Sequence, residues 1–273
     1  MKNRWITLIL MLCSFTILAD EKLSDAELRL SVEGTIEIDP EGRVHDYTIE
    51  TRLTSSIRDY VDQRVRQWRF EPITVDGRAV IAKTRMRLNL LAQTMGESYV
   101  LHVHSVHFGA PTSRERDRSR LRFPPKALRE RLGAHVMLAL RIDADGNVVD
   151  AHPYQTNLSR AMDKNQAARW RRMFEAVAIK AAKRWTYEPS EHIDGAATSA
   201  TVFAPFEFRI VGDDGSQWAS HYWRIFVPGP VAPIPWQQDE MQLAERLDQL
   251  KDGETLAVSS RFRLIDDVVG AAL

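Results

Sequence analysis

Cysteine is almost missing from this chain: Cys13 is the single one, and it sits inside an apolar N-terminal stretch. Everything after it lacks a thiol, a disulfide or a cysteine ligand for a metal, a composition that suits an oxidising compartment. A lipoprotein signal needs a small residue before its cysteine, and Leu12 is bulky. Net charge is missing as well. Thirty-seven basic residues cancel thirty-seven acidic ones, so no global field draws the chain to nucleic acid or to an anionic membrane. There is no G-x-S-x-G elbow, no phosphate-cradling glycine loop and no H-E-x-x-H. The carboxylates are scattered with no convergent pair. No catalytic residue can be nominated, no cofactor is implied, and the expectation is that the protein is not an enzyme.

What is present belongs to an ordinary globular chain, 44% hydrophobic and 27% charged over 273 residues, enough for one or two domains. The N-terminus has Lys2 and Arg4 ahead of the apolar run from Trp5 to Leu18, then Ala19 before Asp20 and Glu21. That order reads as a cleaved secretory signal over 1–19. Fourteen apolar residues span only about 21 Å as a helix, short of the ~30 Å core of a bilayer. The expected location is therefore the periplasm, or the inner membrane if the segment stays attached, with no stable membrane span once the signal is cleaved.

The chain repeats itself. Ile38-Asp39-Pro40-Glu41-Gly42-Arg43-Val44 is matched by Ile142-Asp143-Ala144-Asp145-Gly146-Asn147-Val148. Trp68-Arg69-Phe70-Glu71-Pro72 is matched by Trp185-Thr186-Tyr187-Glu188-Pro189, and each is followed by an Asp-Gly turn, Asp76-Gly77 and Asp194-Gly195. Three landmarks in one order indicate a duplication. Each copy reads as strand, turn, strand, helix, strand. Val136, Leu138, Leu140 and Ile142 alternate as a half-buried strand does, as do Val32, Ile36 and Ile38. Ile57, Val61, Val65 and Trp68 have helical spacing, with Ser55 or Ser56 as N-cap. Trp170, Phe174, Val177, Ala181 and Trp185 repeat that spacing in the second copy, which carries thirteen more residues before or within its helix. Pro72 and Pro189 mark the helix exits, and the tryptophans read as core anchors. The last strands are Lys83 to Leu91 and Ala200 to Ile210; Pro205 in the second predicts a sheet edge.

The expected fold class is α+β: two small modules of antiparallel sheet with a helix on one face, at 24–95 and 123–212. A connecting strand (Ser98 to Phe108) and a basic loop fill 96–122, and a tail occupies 213–273. In the tail, Val227 to Pro235 reads as an extended connector. A short helix bearing Leu243, Leu247 and Leu250 follows, then a strand with Leu256, Val258, Phe262 and Leu264 that packs back on a module. From Arg114 to Arg131 the chain is strongly basic, which reads as a solvated loop and helix start before it reads as a patch for an acidic partner. His102, His104 and His107 form an H-x-H-x-x-H cluster. On a strand the first two would share a face, so a metal-binding envelope protein is one alternative function.

The D-x-x-G-x-V turn, the amphipathic helix and the W-[RT]-[FY]-E-P exit together resemble the C-terminal domain of the energy transducer TonB. Phe123-Pro124-Pro125-Lys126-Ala127 is similar to that family's Y/F-P-x-x-A opening. The resemblance covers about Leu30 to Leu91 and Phe123 to Ile210. It implies a protein-binding adaptor that takes an extended peptide beside its third strand, by β-augmentation. Carried over by position, the partner-binding residues would be Thr84, Met86, Leu88 and Leu90 in the first copy. In the second they would be Phe123, Pro124, Val202, Phe203, Phe206 and Phe208. The partners implied are envelope proteins, among them TonB-dependent outer-membrane receptors or other components of that system, and no nucleic acid. If the N-terminus stayed in the membrane, the same resemblance would imply an energy transducer supporting transmembrane transport.

Overall fold

A computed structural model describes residues 28–95, 98–114, 121–210, 227–236 and 255–270. In chain order the first half holds β1 (Leu28–Ile38), β2 (Val44–Ile49), α1 (Ser55–Val65), β3 (Thr74–Val75), β4 (Arg78–Ala79), β5 (Ala82–Met95), β6 (Ser98–Phe108) and β7 (Thr112–Ser113). The second half holds α2 (Pro125–Arg129), β8 (Ala134–Ile142), β9 (Val148–Leu158), α3 (Lys164–Ala182), β10 (Tyr187–Glu188), β11 (His192–Ile193), β12 (Ala196–Ala197), β13 (Ala200–Phe208) and β14 (Leu256–Ala257). The fold is mixed α+β, built of several antiparallel sheets with helices against them. The two larger sheets run β12-β11-β5-β1-β2, with β6 also on β5, and β14-β13-β8-β9.

Both halves follow the path strand, hairpin, strand, helix, exit, strand, and their turns are built alike. The Asp39 carboxylate accepts from the backbone N–H groups of Glu41 and Arg43, and Asp143 accepts from those of Asp145 and Asn147. Gly42 and Gly146 take φ of 77° and 90°, a region closed to most side chains. Their carbonyls then accept from Phe70 N–H at 2.8 Å and Tyr187 N–H at 2.7 Å. The hairpin turn is thereby tied to the residue after the helix. A Cβ on either glycine would run into the carbonyl of Phe70 or Tyr187, so close approach demands glycine as much as the dihedral does. The second half's extra length is divided: β9 has eleven residues against six in β2, and α3 nineteen against eleven in α1.

Each sheet buries one face under its helix. Val32, Ile36, Ile38, Met86, Leu88 and Leu90 meet Val61, Val65 and Trp68 in the first half. In the second, Val136, Leu138, Leu140, Val202 and Phe206 meet Trp170, Phe174 and Ala178. The Trp185 ring stacks on Phe206 at 4.7 Å between centroids, an anchoring role for that tryptophan. Helix α3 starts on a true cap, with Asp163 accepting from Asn165 and Gln166. The N-cap of α1 is Thr54 and makes no side-chain bond, which corrects the expectation of Ser55 or Ser56.

The far face of the second sheet is also covered. Met137, Ala139, Tyr154 and Phe203 form a small core with Ile234 of the connector and with Leu256 and Val258 of the tail. The tail joins both halves. Val258 N–H donates to the Thr201 carbonyl, while Glu71 N–H donates to the Arg263 carbonyl and Ile265 N–H to that of Arg69. Phe262 closes an aromatic cluster with Phe70 and Phe108. The N-terminal segment 1–27, the centre of the basic run and the helix expected around Leu243, Leu247 and Leu250 lie outside the described residues.

Candidate peptide-docking borders

A strand added to a sheet needs a border whose N–H and C=O groups point outward unpaired. The border expected on β5 does not exist. From Ala82 to Ala92 this strand is bonded to β1 on one side. On the other, β6 occupies Met86 to Met95 and β11 occupies Ala82 and Lys83. The gap is closed by Arg85, whose N–H donates to Ser190 and whose carbonyl accepts from Gly109. Thr84, Met86, Leu88 and Leu90 are all buried, and the Thr84 hydroxyl accepts from Gly109 N–H. Their strand is a central one, and they serve its core.

On the second unit, β14 pairs with Val202 and Phe203. Because the Thr201 carbonyl faces the tail, alternation turns Phe203, Pro205 and Glu207 the same way. The nitrogen of Pro205 therefore points away from β8, and the ladder to β8 loses nothing. The expectation of a strict edge strand is corrected to this extent: β13 is flanked at its start by β14 and has its proline on the side away from β8. Val202, Phe203, Phe206 and Phe208 are buried. Phe123 packs edge-on against Phe174 and Phe208, and Pro124 precedes α2 as its cap residue. Phe123, Val202, Phe206 and Phe208 line the core between sheet and helix, and Phe203 belongs to the far-face core under the connector and tail.

A β-bulge falls within the histidine cluster: Leu90 opposes Val103 and Asn89 opposes Ser105, leaving His104 as the extra residue. His104 is exposed, His102 is half-buried, and Val103 between them turns into the core. His102 contacts the Gly270 carbonyl at 3.4 Å. Among the described residues no group of three His, Cys, Asp or Glu could hold a metal ion, which counts against the metal-binding alternative.

Further borders belong to β6, β9 and β2. The outer side of β6 is met at Val103 by Gly270 N–H. Along β9 runs the connector. Val227 and Leu158 exchange both backbone bonds, at 2.9 and 3.0 Å, and Ala232 N–H donates to the Tyr154 carbonyl at 2.8 Å. Between these points Gly229 N–H donates to the Asn157 side chain. Arg171 of α3 holds the carbonyls of Thr156 and Pro228. A Cβ at Gly229 would strike the Thr156 carbonyl, so only glycine lets the connector lie this close.

The equivalent strand in the first half, β2, has no such companion among the described residues. Glu50 N–H donates inward to the Glu33 carbonyl, which turns the backbone groups of Ile49 and Tyr47 outward. His45, Asp46 and Thr48 are exposed. One outward donor is already used: Tyr47 N–H donates to the Asp46 carboxylate at 2.8 Å. The Tyr47 hydroxyl donates to Asp62 of α1, and Arg66 lies over its ring at 5.1 Å. Hydrogen bonding to Tyr47 and Arg66 holds the Asp62 carboxyl below its usual range. Sequence reasoning missed this border because the family resemblance directed attention to the third strand.

Comparison with family models, with curated proteins and with solved structures gives no match. Among the described residues no helix is long and apolar enough to cross a membrane. The transmembrane-transport reading is corrected on these two findings, and no family match supports the TonB-domain, periplasm or signal-peptide assignments.

Proposed function

We propose that this protein is a non-catalytic binding module that accepts an extended polypeptide segment as an added strand along β2. The carrying observation is the contrast between equivalent strands: β9 already bears an extended segment of the chain itself, whereas β2, with His45, Asp46 and Thr48 exposed, bears none among the described residues. In this reading the two halves are diverged copies of one TonB-C-like plan. Their matched turns and exits support it, and the docking mode is the one that likeness implies.

The magnitudes shape the proposal. With Tyr47 N–H held by Asp46, the border of Tyr47 and Ile49 offers three outward groups, each worth about 0.5–1.5 kcal/mol when bonded. That sum falls short of the ~8 kcal/mol of micromolar binding. Side chains of the partner packing beside Tyr47 and Ile49 must supply the rest, and selectivity with it.

The test is photo-crosslinking in live cells from Thr48, with Asp145 in the β8–β9 turn as an exposed control. The expected result is capture of one extended segment at Thr48 and none at Asp145, with the Ile49 amide exchanging more slowly in the complex. Equal capture at both sites, or a captured partner that leaves Ile49 exchange unchanged, overturns the reading.

A further inference from the structure

Where the two halves and the tail converge lies a cleft of about 620 Å³, a size typical of small-ligand sites. One wall is the exit of the first half, from Glu71 to Thr74; a second is the start of β13, with Ser199 and Thr201; the third is the tail from Ser259 to Arg263. Arg141 of β8 also lines it. Stretches distant in sequence thus bring guanidinium and hydroxyl groups into one space.

The tail sets the spacing. Phe262 is buried in the first core, while its neighbours Arg261 and Arg263 are exposed and both line the cleft. Among the described residues no carboxylate forms an ion pair with either guanidinium, and both side chains are exposed. Arg141, by contrast, is committed to Asp150 and lies over Trp236 at 5.5 Å, so it contributes charge and the other two contribute free donors.

Two carboxylates share the lining, Glu71 and Glu191. Glu191 is turned aside: its carboxylate accepts from the Ser260 hydroxyl and from the Arg261 backbone, and burial raises its pKa. Glu71 is exposed. The arginines outnumber the acids; Glu191 attracts Arg261 electrostatically, and Arg263 has no ion pair among the described residues.

We infer that this cleft is a binding site for a carboxylate ligand, gripped by the guanidinium forks of Arg261 and Arg263. Guanidinium matches carboxylate with two parallel hydrogen bonds, and the hydroxyls of Ser199 and Ser259 add neutral donors at the rim. The carboxylate can come from an acidic side chain, from a polypeptide C-terminus or from a free small acid. This site is remote from β2 in the chain and does not depend on strand docking there.

The experiment uses the full chain at low salt and calorimetric titration with five probes: an acetylated, amidated Gly-Glu-Glu-Gly peptide; Gly-Gly-Ala-Ala with a free carboxylate; the same peptide amidated; citrate; and inorganic phosphate. At least one carboxylate probe is expected to bind saturably, and the amidated neutral peptide not at all. Which probe binds identifies the source. R261Q/R263Q is expected to weaken binding at least tenfold. R261K/R263K, which keeps charge but loses the fork, falls between, and Arg66→Gln on α1 leaves binding unchanged. Thermal melts without ligand check that each variant is folded. Absence of binding by every carboxylate probe at millimolar concentration overturns the inference. So does binding unaltered in both double variants, or inorganic phosphate binding more tightly than every carboxylate.

Discussion

The strands β2 and β9 occupy the same place in their respective halves and meet different neighbours. Beside β9 lies the segment Val227 to Trp236, bonded to it at both ends and seated through Gly229. Beside β2 lies no segment among the described residues, and part of its outward bonding is spent within the strand, Asp46 on Tyr47. Two answers to the hazard of an open sheet edge therefore coexist in one chain. One covers the edge with spare polypeptide, and the other leaves it without a neighbour among the described residues, under a light local guard. The difference shows that edge coverage here depends on where the connecting segments were placed, not on the plan of each half.

The largest effects test the part of the comparison that is shared. Gly42→Val and Gly146→Val each combine a positive φ with a clash against backbone. Each is expected to destabilise its half by about 3–5 kcal/mol, seen as loss of the cooperative thermal transition. A large effect in one half and a negligible one in the other would break the equivalence of the two joints. Next, Gly229→Val should lift the connector off β9, at about 2–3 kcal/mol. The amides of Leu158 and Ala232 would then exchange as fast as that of Ile49; unchanged protection at Leu158 would show that the connector is not what closes β9.

Ile49→Pro removes an outward N–H from β2 with a moderate loss of packing, about 1–2 kcal/mol. It is expected to abolish capture from Thr48 while the chain stays folded by circular dichroism. The smallest effect concerns Glu191, which is buried beside Ser260 at the junction of the halves. Burial raises its pKa, so the folded state holds this proton more tightly than the unfolded one. Its contribution is fully present below the ordinary glutamate value of about 4.3 and is lost as pH rises through the raised value. Melting temperature should decline over that window in the wild type and decline less in Glu191→Gln.

Much of the architecture was legible because it is local. The Asp39 and Asp143 turns, the proline exits and the period-two runs each carry their structure within a few residues, and all three recur where the alternation places them. The pairing of β5 with β6 was less visible, although Gly96 between two alternating runs is a hairpin signal. The far-face core was written in β8: Met137 and Ala139 are apolar at positions that a one-sided strand would make polar. What could not be read was which borders the connector and tail would cover. Those contacts join Val227 to Leu158 and Ile265 to Arg69, pairings fixed by the assembled shape and not by either sequence alone. The candidate site suffered most, since residues nominated for docking by position turned out to be core, and the cleft at the junction draws on five stretches far apart in the chain.

The segment on β9 carries Pro228, Pro230, Pro233 and Pro235, four residues with no amide hydrogen to offer a further neighbour. It terminates the row it joins, as a capped monomer ends a growing polymer. On that flank molecules cannot template one another into a fibre.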